Sequence, residues 1–127
     1  MPSSSSRRRA FSAADAGPRV SPEVEFLWWS ECPSWERALA DLRAAMVENG
    51  LDPASIVERE MASEAQAEAA GFPGSPTIRV DGADIAQPAE GMPRGLVCRV
   101  YLRRDGRVSP QPDPLDVRDA LAARLSE

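Results

Sequence analysis

Trp28-Trp29-Ser30-Glu31-Cys32-Pro33-Ser34-Trp35 is the stretch whose reading decides the fold. Just before and into it, Glu23-Val24-Glu25-Phe26-Leu27-Trp28-Trp29 alternates and then becomes continuously apolar, the pattern of a buried strand. Downstream, Leu39, Leu42 and Met46 recur at spacings of three and four, with Ala38 and Ala45 beside them. That periodicity predicts a helix over 33–49, closed by Gly50. Pro33 suits the first helical position, because the N–H it lacks would have no helical partner there. Cys32 therefore falls at the strand-to-helix junction, where backbone N–H groups and the helix dipole favour thiolate over thiol. A cysteine in that place also reads as a small apolar residue that happens to precede a helix. The remaining segments bear on that choice.

Beyond the first helix, residues 55–61 are a strand candidate led by Ile56 and Val57, and residues 63–70 are Ala/Glu-rich and helical up to Gly71. Residues 76–81 read as a strand with Gly82 in the following turn, and the Pro- and Gly-containing stretch 83–95 reads as a loop. Leu96-Val97-Cys98-Arg99-Val100-Tyr101-Leu102-Arg103 predicts a fourth strand; Asp105-Gly106 turns the chain and Arg107-Val108 starts a short return. Asp113 as N-cap, Pro114 at the first position and Asp116 in the first turn open a last helix. Leu115, Leu121, Ala122 and Leu125 are its expected apolar face. The order is an α/β β-α-β-α-β-β-α domain over residues 22–127. Its first three strands are expected as parallel neighbours and its last two as an antiparallel hairpin.

Composition narrows the chemistry. The 127 residues carry a net charge of −5, 43% hydrophobic and 28% charged, as in a soluble globular domain. Residues 1–21 are Ser- and Arg-rich and read as a disordered basic tail, with Arg7, Arg8, Arg9 and Arg19 against Asp15. The remainder is acidic, which argues against nucleic acid as a partner. No apolar run approaches the roughly 20 residues that span a bilayer, and no apolar stretch follows the N-terminal arginines, so a cytoplasmic, membrane-free protein is expected. There is no histidine, which removes imidazole bases and ligands, and no lysine, which removes Schiff-base chemistry. Cysteines, carboxylates and Tyr101 are the titratable groups left for catalysis.

Gly74-Ser75-Pro76-Thr77-Ile78-Arg79-Val80 places a proline at the opening of what reads as a central strand. Such an X-Pro bond is a candidate for the cis isomer. A Cys-Pro helix start after the first strand, a Ser-Pro-Thr entry to the third and the β-α-β-α-β-β-α order together resemble the thioredoxin-like superfamily from about Glu23 to Leu125. Segment 71–82, with Gly95-Leu96-Val97-Cys98-Arg99-Val100-Tyr101 after it, looks like a group within it labelled thioredoxin-like or alkylmercury lyase-like. The resemblance implies a three-layer sandwich around a central mixed four-stranded sheet. It implies Cys32 as the nucleophilic thiol, Pro76 as a cis-proline packed beside it, and Ser75 as the source of backbone groups for an extended thiol substrate. The departure is at Trp35, which stands where the redox motif Cys-x-x-Cys has its second cysteine, so no dithiol forms within the motif.

Cys98 is then the candidate second thiol, resolving an adduct at Cys32 or joining it on a soft metal such as Hg(II) or Cu(I). A regular antiparallel fourth strand opposes this. Four or five residues of strand span roughly 13–17 Å, whereas a disulfide needs Cα atoms within about 7 Å. A register shift or a fold-back of loop 83–95 would close the gap. Trp28, Trp29 and Trp35 read as core or as an apolar wall around the thiol, with Trp28 and Trp29 on opposite faces. Glu31 reads as a solvated turn carboxylate or as an opponent of the thiolate. Arg79 and Arg99 read as an anion site or a salt-bridged sheet face.

The expected function is thiol handling, with Cys32 attacking a disulfide or activated thiol and an external thiol resolving the adduct. Pro33, Ser34, Trp35, Ser75, Pro76 and Trp29 are the expected substrate contacts. No cofactor is expected. The alternatives are a non-catalytic thioredoxin-like interaction module, and soft-metal or organomercurial binding through Cys32 with or without Cys98.

Overall fold

The computed structural model describes residues 21–86 and 94–125. The tail over 1–21 lies outside them apart from Ser21, as do residues 87–93 of loop 83–95. The elements are β1 (Val24–Trp28), α1 (Trp35–Glu48), a 3-10 turn (Pro53–Ser55), β2 (Val57–Glu60), α2 (Glu64–Ala70), β3 (Thr77–Val80), β4 (Ala83–Asp84), β5 (Tyr101–Leu102), β6 (Val108–Ser109) and α3 (Pro114–Leu125).

A mixed four-stranded sheet runs in the order β2-β1-β3-β4. Strand β1 pairs parallel with β2, and β3 pairs antiparallel with both β1 and β4. The expected parallel third strand is thus corrected, and the register gives the reason. The chain leaves β2 at Glu60, opposite Trp28, and enters β3 at Thr77, opposite Leu27. Both points lie at the same end of the sheet. Helix α2 therefore connects them without carrying the chain back across, and β3 must run the other way.

Alternation along β1 divides the core. Val24 and Phe26 face one side with Ile78 and Val80 of β3, and there Ala38, Leu39, Leu42, Ala45 and Met46 of α1 meet Val117 and Leu121 of α3. Leu27 faces the other side, with Met61, Ala67 of α2 and Phe72. The sheet lies between α1 and α3 on one face and α2 on the other. In α3 the buried positions are Val117 and Leu121, while Leu115 is exposed, so the predicted face is rotated. Asp113 explains why. Its carboxylate accepts from the N–H groups of Leu115 and Arg104, which orients the first turn with Leu115 outward.

The helix ends follow the residues. Gly50 at φ +73° permits the closing turn of α1, in which Gly50 N–H reaches the Val47 carbonyl (3.0 Å) and Leu51 N–H the Met46 carbonyl (2.8 Å). Ser63 caps α2 by accepting from Gln66 N–H. The start of α1 differs from expectation: Pro33 lies in a turn, and Ser34 is the cap residue.

The fourth strand of the sheet is β4, inside the stretch read as a loop. The segment 96–103 contributes a single bridge at Cys98 and then β5, which pairs with β6 in a separate ribbon. The turn through Asp105 and Gly106 closes that ribbon as expected. The two-residue β4 takes the edge of β3 because Asp81 (φ +52°) and Gly82 (φ +83°) reverse the chain directly after Val80.

Candidate functional site

The site forms where the ends of β1 and α1 meet the entry to β3. After β1, the chain turns with Cys32 N–H on the Trp29 carbonyl (3.0 Å), which brings the cysteine back over the strand end. Ser34 then begins α1 through its carbonyl, which accepts from Ala38 N–H, but its side chain makes no capping bond. The Ser34 hydroxyl instead lies 3.2 Å from Cys32 Sγ.

From the other side come Gly74, Ser75 and Pro76. The Ser75–Pro76 peptide is cis, as the sequence anticipated. Ser75 is fully buried; its hydroxyl accepts from Trp29 N–H (3.0 Å), and its carbonyl lies 3.6 Å from Cys32 Sγ as acceptor for the thiol. Thr77 Oγ1 donates to the Gly74 carbonyl and accepts from Arg99, which fixes the entry to β3.

The third contribution is Cys98. Ser75 and Cys98 form a parallel bridge: Ser75 N–H donates to the Val97 carbonyl and Arg99 N–H donates to the Ser75 carbonyl, each at 2.8 Å. Opposed residues in paired strands project on the same side. The Ser75 hydroxyl points to the Trp29–Cys32 turn, so Cys98 projects toward Cys32. The expected separation of the two cysteines is therefore corrected, because Cys98 is not in the strand that extends the sheet beyond β3. It belongs to a fold-back that pairs with the residue preceding Pro76.

One further expectation, on the Ser75 backbone, is corrected here, and it follows the burial of Cys32. That residue is fully buried, whereas Cys98 is exposed. The turn pulls Cys32 inward under the fold-back strand. The backbone groups of Ser75 are not open to a substrate, since Val97 and Arg99 already occupy both.

Burial pushes the Cys32 thiol up, but hydrogen bonds from the Ser34 hydroxyl and N–H, the Cys98 thiol and the Ser75 hydroxyl outweigh it. The net position is below the ordinary thiol value. Cys98 moves the opposite way, raised by burial, by its hydrogen bond with Cys32 and by the charge on that neighbour. Of the two sulfurs, Cys32 is thus the one that gives up its proton more readily.

The tryptophans separate as the alternation of β1 requires. Trp28 packs on the α1 side, where its ring stacks on Trp35 with centroids 4.0 Å apart, and its buried Nε1 has no hydrogen-bond partner. Trp29 packs on the α2 side. Trp35 and Trp29 therefore form walls on different faces, and Pro33 and Glu31 are exposed. Arg79 donates to the Ala70 and Gly71 carbonyls that end α2. Arg99 is buried, bound to Asp84 (2.8 Å), Thr77 and the Ala86 carbonyl, with its guanidinium 4.6 Å above the Tyr101 ring. Both arginines are satisfied internally and do not form an anion site. Tyr101 is buried with its hydroxyl on the Pro76 carbonyl, and burial raises it far above the ordinary phenol range, so it stays protonated.

Sequence reasoning missed the pairing of Ser75 with Cys98 and the direction of the Ser34 hydroxyl. A signal for the first was present: Gly95 and the neighbouring prolines make a fold-back before Cys98 easier than a continuous strand. Among the described residues no cluster of three or more Cys, Asp or Glu side chains could hold a metal, so a soft metal would have the two sulfurs alone. No helix among the described residues is long and apolar enough to cross a membrane. Comparison with protein-family models, with curated proteins and with solved structures finds no match.

Proposed function

We propose that the protein handles thiols and disulfides with Cys32 as a nucleophilic sulfur, the role that the thioredoxin-like resemblance implies for it. The observation that carries this reading is the setting of the Cys32 sulfur. It is held by the Ser34 hydroxyl at 3.2 Å, beside Ser75 and Pro76. A structural cysteine in a hydrocarbon core has no such donors and keeps a raised pKa. Here hydroxyl, N–H and thiol donors converge on one sulfur, an arrangement that stabilises thiolate, the nucleophilic and exchange-competent form.

The test is the pH dependence of thiolate absorbance in the far ultraviolet, taken as wild type minus Cys32→Ala. A midpoint below the free thiol value of about 8.5 supports the reading. A midpoint at or above it removes the chemical basis. The full burial of Cys32 favours a second reading, a non-catalytic module of the same fold, which predicts that raised midpoint together with inertness to disulfides.

A further inference from the structure

We infer that Cys32 and Cys98 are the two halves of one dithiol–disulfide couple, in which the exposed Cys98 is the sulfur that meets external partners and the buried Cys32 is the sulfur that closes and opens the bond. The inference rests on the thiol-handling reading and assigns the order of events within it.

Three observations carry it. Cys98 is opposite Ser75 in a bonded bridge, on the side where the Ser75 hydroxyl meets the Trp29–Cys32 turn. The Ser75 carbonyl that receives the Arg99 N–H also lies 3.6 Å from Cys32 Sγ, so one peptide group positions both cysteines. Accessibility is then divided between them, with Cys32 at 0% and Cys98 exposed. Cys98 is thus the exposed member of the pair, whereas Cys32 requires local opening to meet an external disulfide.

The exchange balances as follows. The Cys98 sulfur, once deprotonated, attacks an external disulfide RS–SR; the S–S bond breaks, one RS⁻ leaves and a Cys98–SR mixed disulfide forms. The Cys32 thiolate attacks the Cys98 sulfur, expels the second RS⁻ and forms the Cys32–Cys98 bond. The two protons of the original thiols go to the two released thiolates. The protein is oxidised by two electrons and the external disulfide is reduced by two. In reverse, an external thiolate attacks the exposed Cys98 sulfur and Cys32 leaves. A thiol held toward its anion leaves faster, so the asymmetry of the pair suits this direction.

The reduced full-length protein is mixed with oxidised glutathione, quenched in acid and mapped without reduction. The expected wild-type product is a peptide pair linked through Cys32 and Cys98. Cys32→Ala is expected to stop at a stable glutathione adduct on Cys98. In Cys98→Ala, Cys32 is expected to acquire glutathione at least ~10-fold more slowly than wild type closes, because the buried sulfur reacts only through local opening. A wild type that keeps the adduct on Cys98 and never forms the linked pair overturns the couple, and this measurement needs no variant to fold. If Cys98→Ala takes up glutathione at Cys32 as fast as wild type reacts, the order of entry is wrong while the thiol-handling reading stands. If neither sulfur reacts in the folded protein, both readings fall.

Discussion

Ser75 and Cys98 face each other across a parallel bridge, with the N–H of Ser75 on the Val97 carbonyl and its carbonyl under the Arg99 N–H. That relationship fills the backbone edge beside Pro76 with the protein's own chain and turns the second cysteine toward the first. Its consequences, and those of the packing around it, can be measured.

The Ser34 hydroxyl is spent on a sulfur and not on its helix. Ser34→Ala is expected to raise the apparent pKa of Cys32, because the donor it removes favours the thiolate. It breaks no cap bond but removes a buried hydrogen bond, so a loss of about 0.5–1.5 kcal/mol is expected. Cys98→Ala should shift Cys32 in the same direction. Thiolate absorbance against pH and urea unfolding report the two effects separately.

Arg99 is the buried cation that ties the fold-back strand to β4 and the start of β3. Arg99→Leu leaves Asp84, Thr77 and the Ala86 carbonyl without that partner. A loss of about 3–5 kcal/mol is expected, as for other buried pairs broken on one side. Arg99→Lys should recover little, since one ammonium cannot match the planar fork. Equilibrium urea denaturation decides the size, and a loss below that of an exposed ion pair would contradict the role.

Gly74 sits at φ +128°, and a Cβ there would approach Arg99 Cβ to 3.1 Å. Gly74→Ala therefore meets backbone strain and a close contact together. A destabilisation of about 1–3 kcal/mol is expected from the conformation alone. The substitution also disturbs the bridge at Ser75, so the linked Cys32–Cys98 peptide should form more slowly in the oxidised-glutathione assay.

Leu121 and Leu115 test the orientation of α3. Leu121 is fully buried and Leu115 is 42% exposed. Leu121→Ala should cost about 2–5 kcal/mol, and Leu115→Ala no more than about 0.5 kcal/mol. Reversed sizes would restore the face read from the sequence.

Acid should weaken the fold through α3 and its neighbours. The N–H groups of Arg104 and Leu115 hold Asp113 below the usual carboxylate range, and the Arg104 guanidinium does the same for Asp119. A depressed folded pKa adds stability above the unfolded value of about 3.9, and that stability is lost as pH falls through the folded value. The urea midpoint should therefore drop as pH is lowered below about 5. In Asp113→Asn the drop should be shallower.

Much of the fold was readable because local chemistry and tertiary demand agree there. Leu39, Leu42 and Met46 are apolar at helical spacing and all three are buried. Gly50 and Gly71 stand at positive φ where the helices were expected to end. Pro76 marks the opening of β3, and the alternation of Trp28 and Trp29 sends them to different cores. The direction of β3 was not readable, because a helix between two strands does not say whether it carries the chain back to the starting end. The short β4 was hidden for a related reason: two residues show no period, and pairing came from the turn at Asp81 and Gly82.

The order of the elements as far as β3, the place of Cys32 between strand and helix and the absence of imidazole from any mechanism follow from the chain itself, since they depend on residue type and on neighbours a few positions away. The burial of Cys32, the exposure of Cys98 and their meeting over Ser75 were decided by tertiary structure. These depend on which backbone edge remained open once β1 and β3 had paired. Residues 97–99 took the edge beside Pro76 because their hydrogen bonds there satisfy groups that burial would otherwise leave without partners.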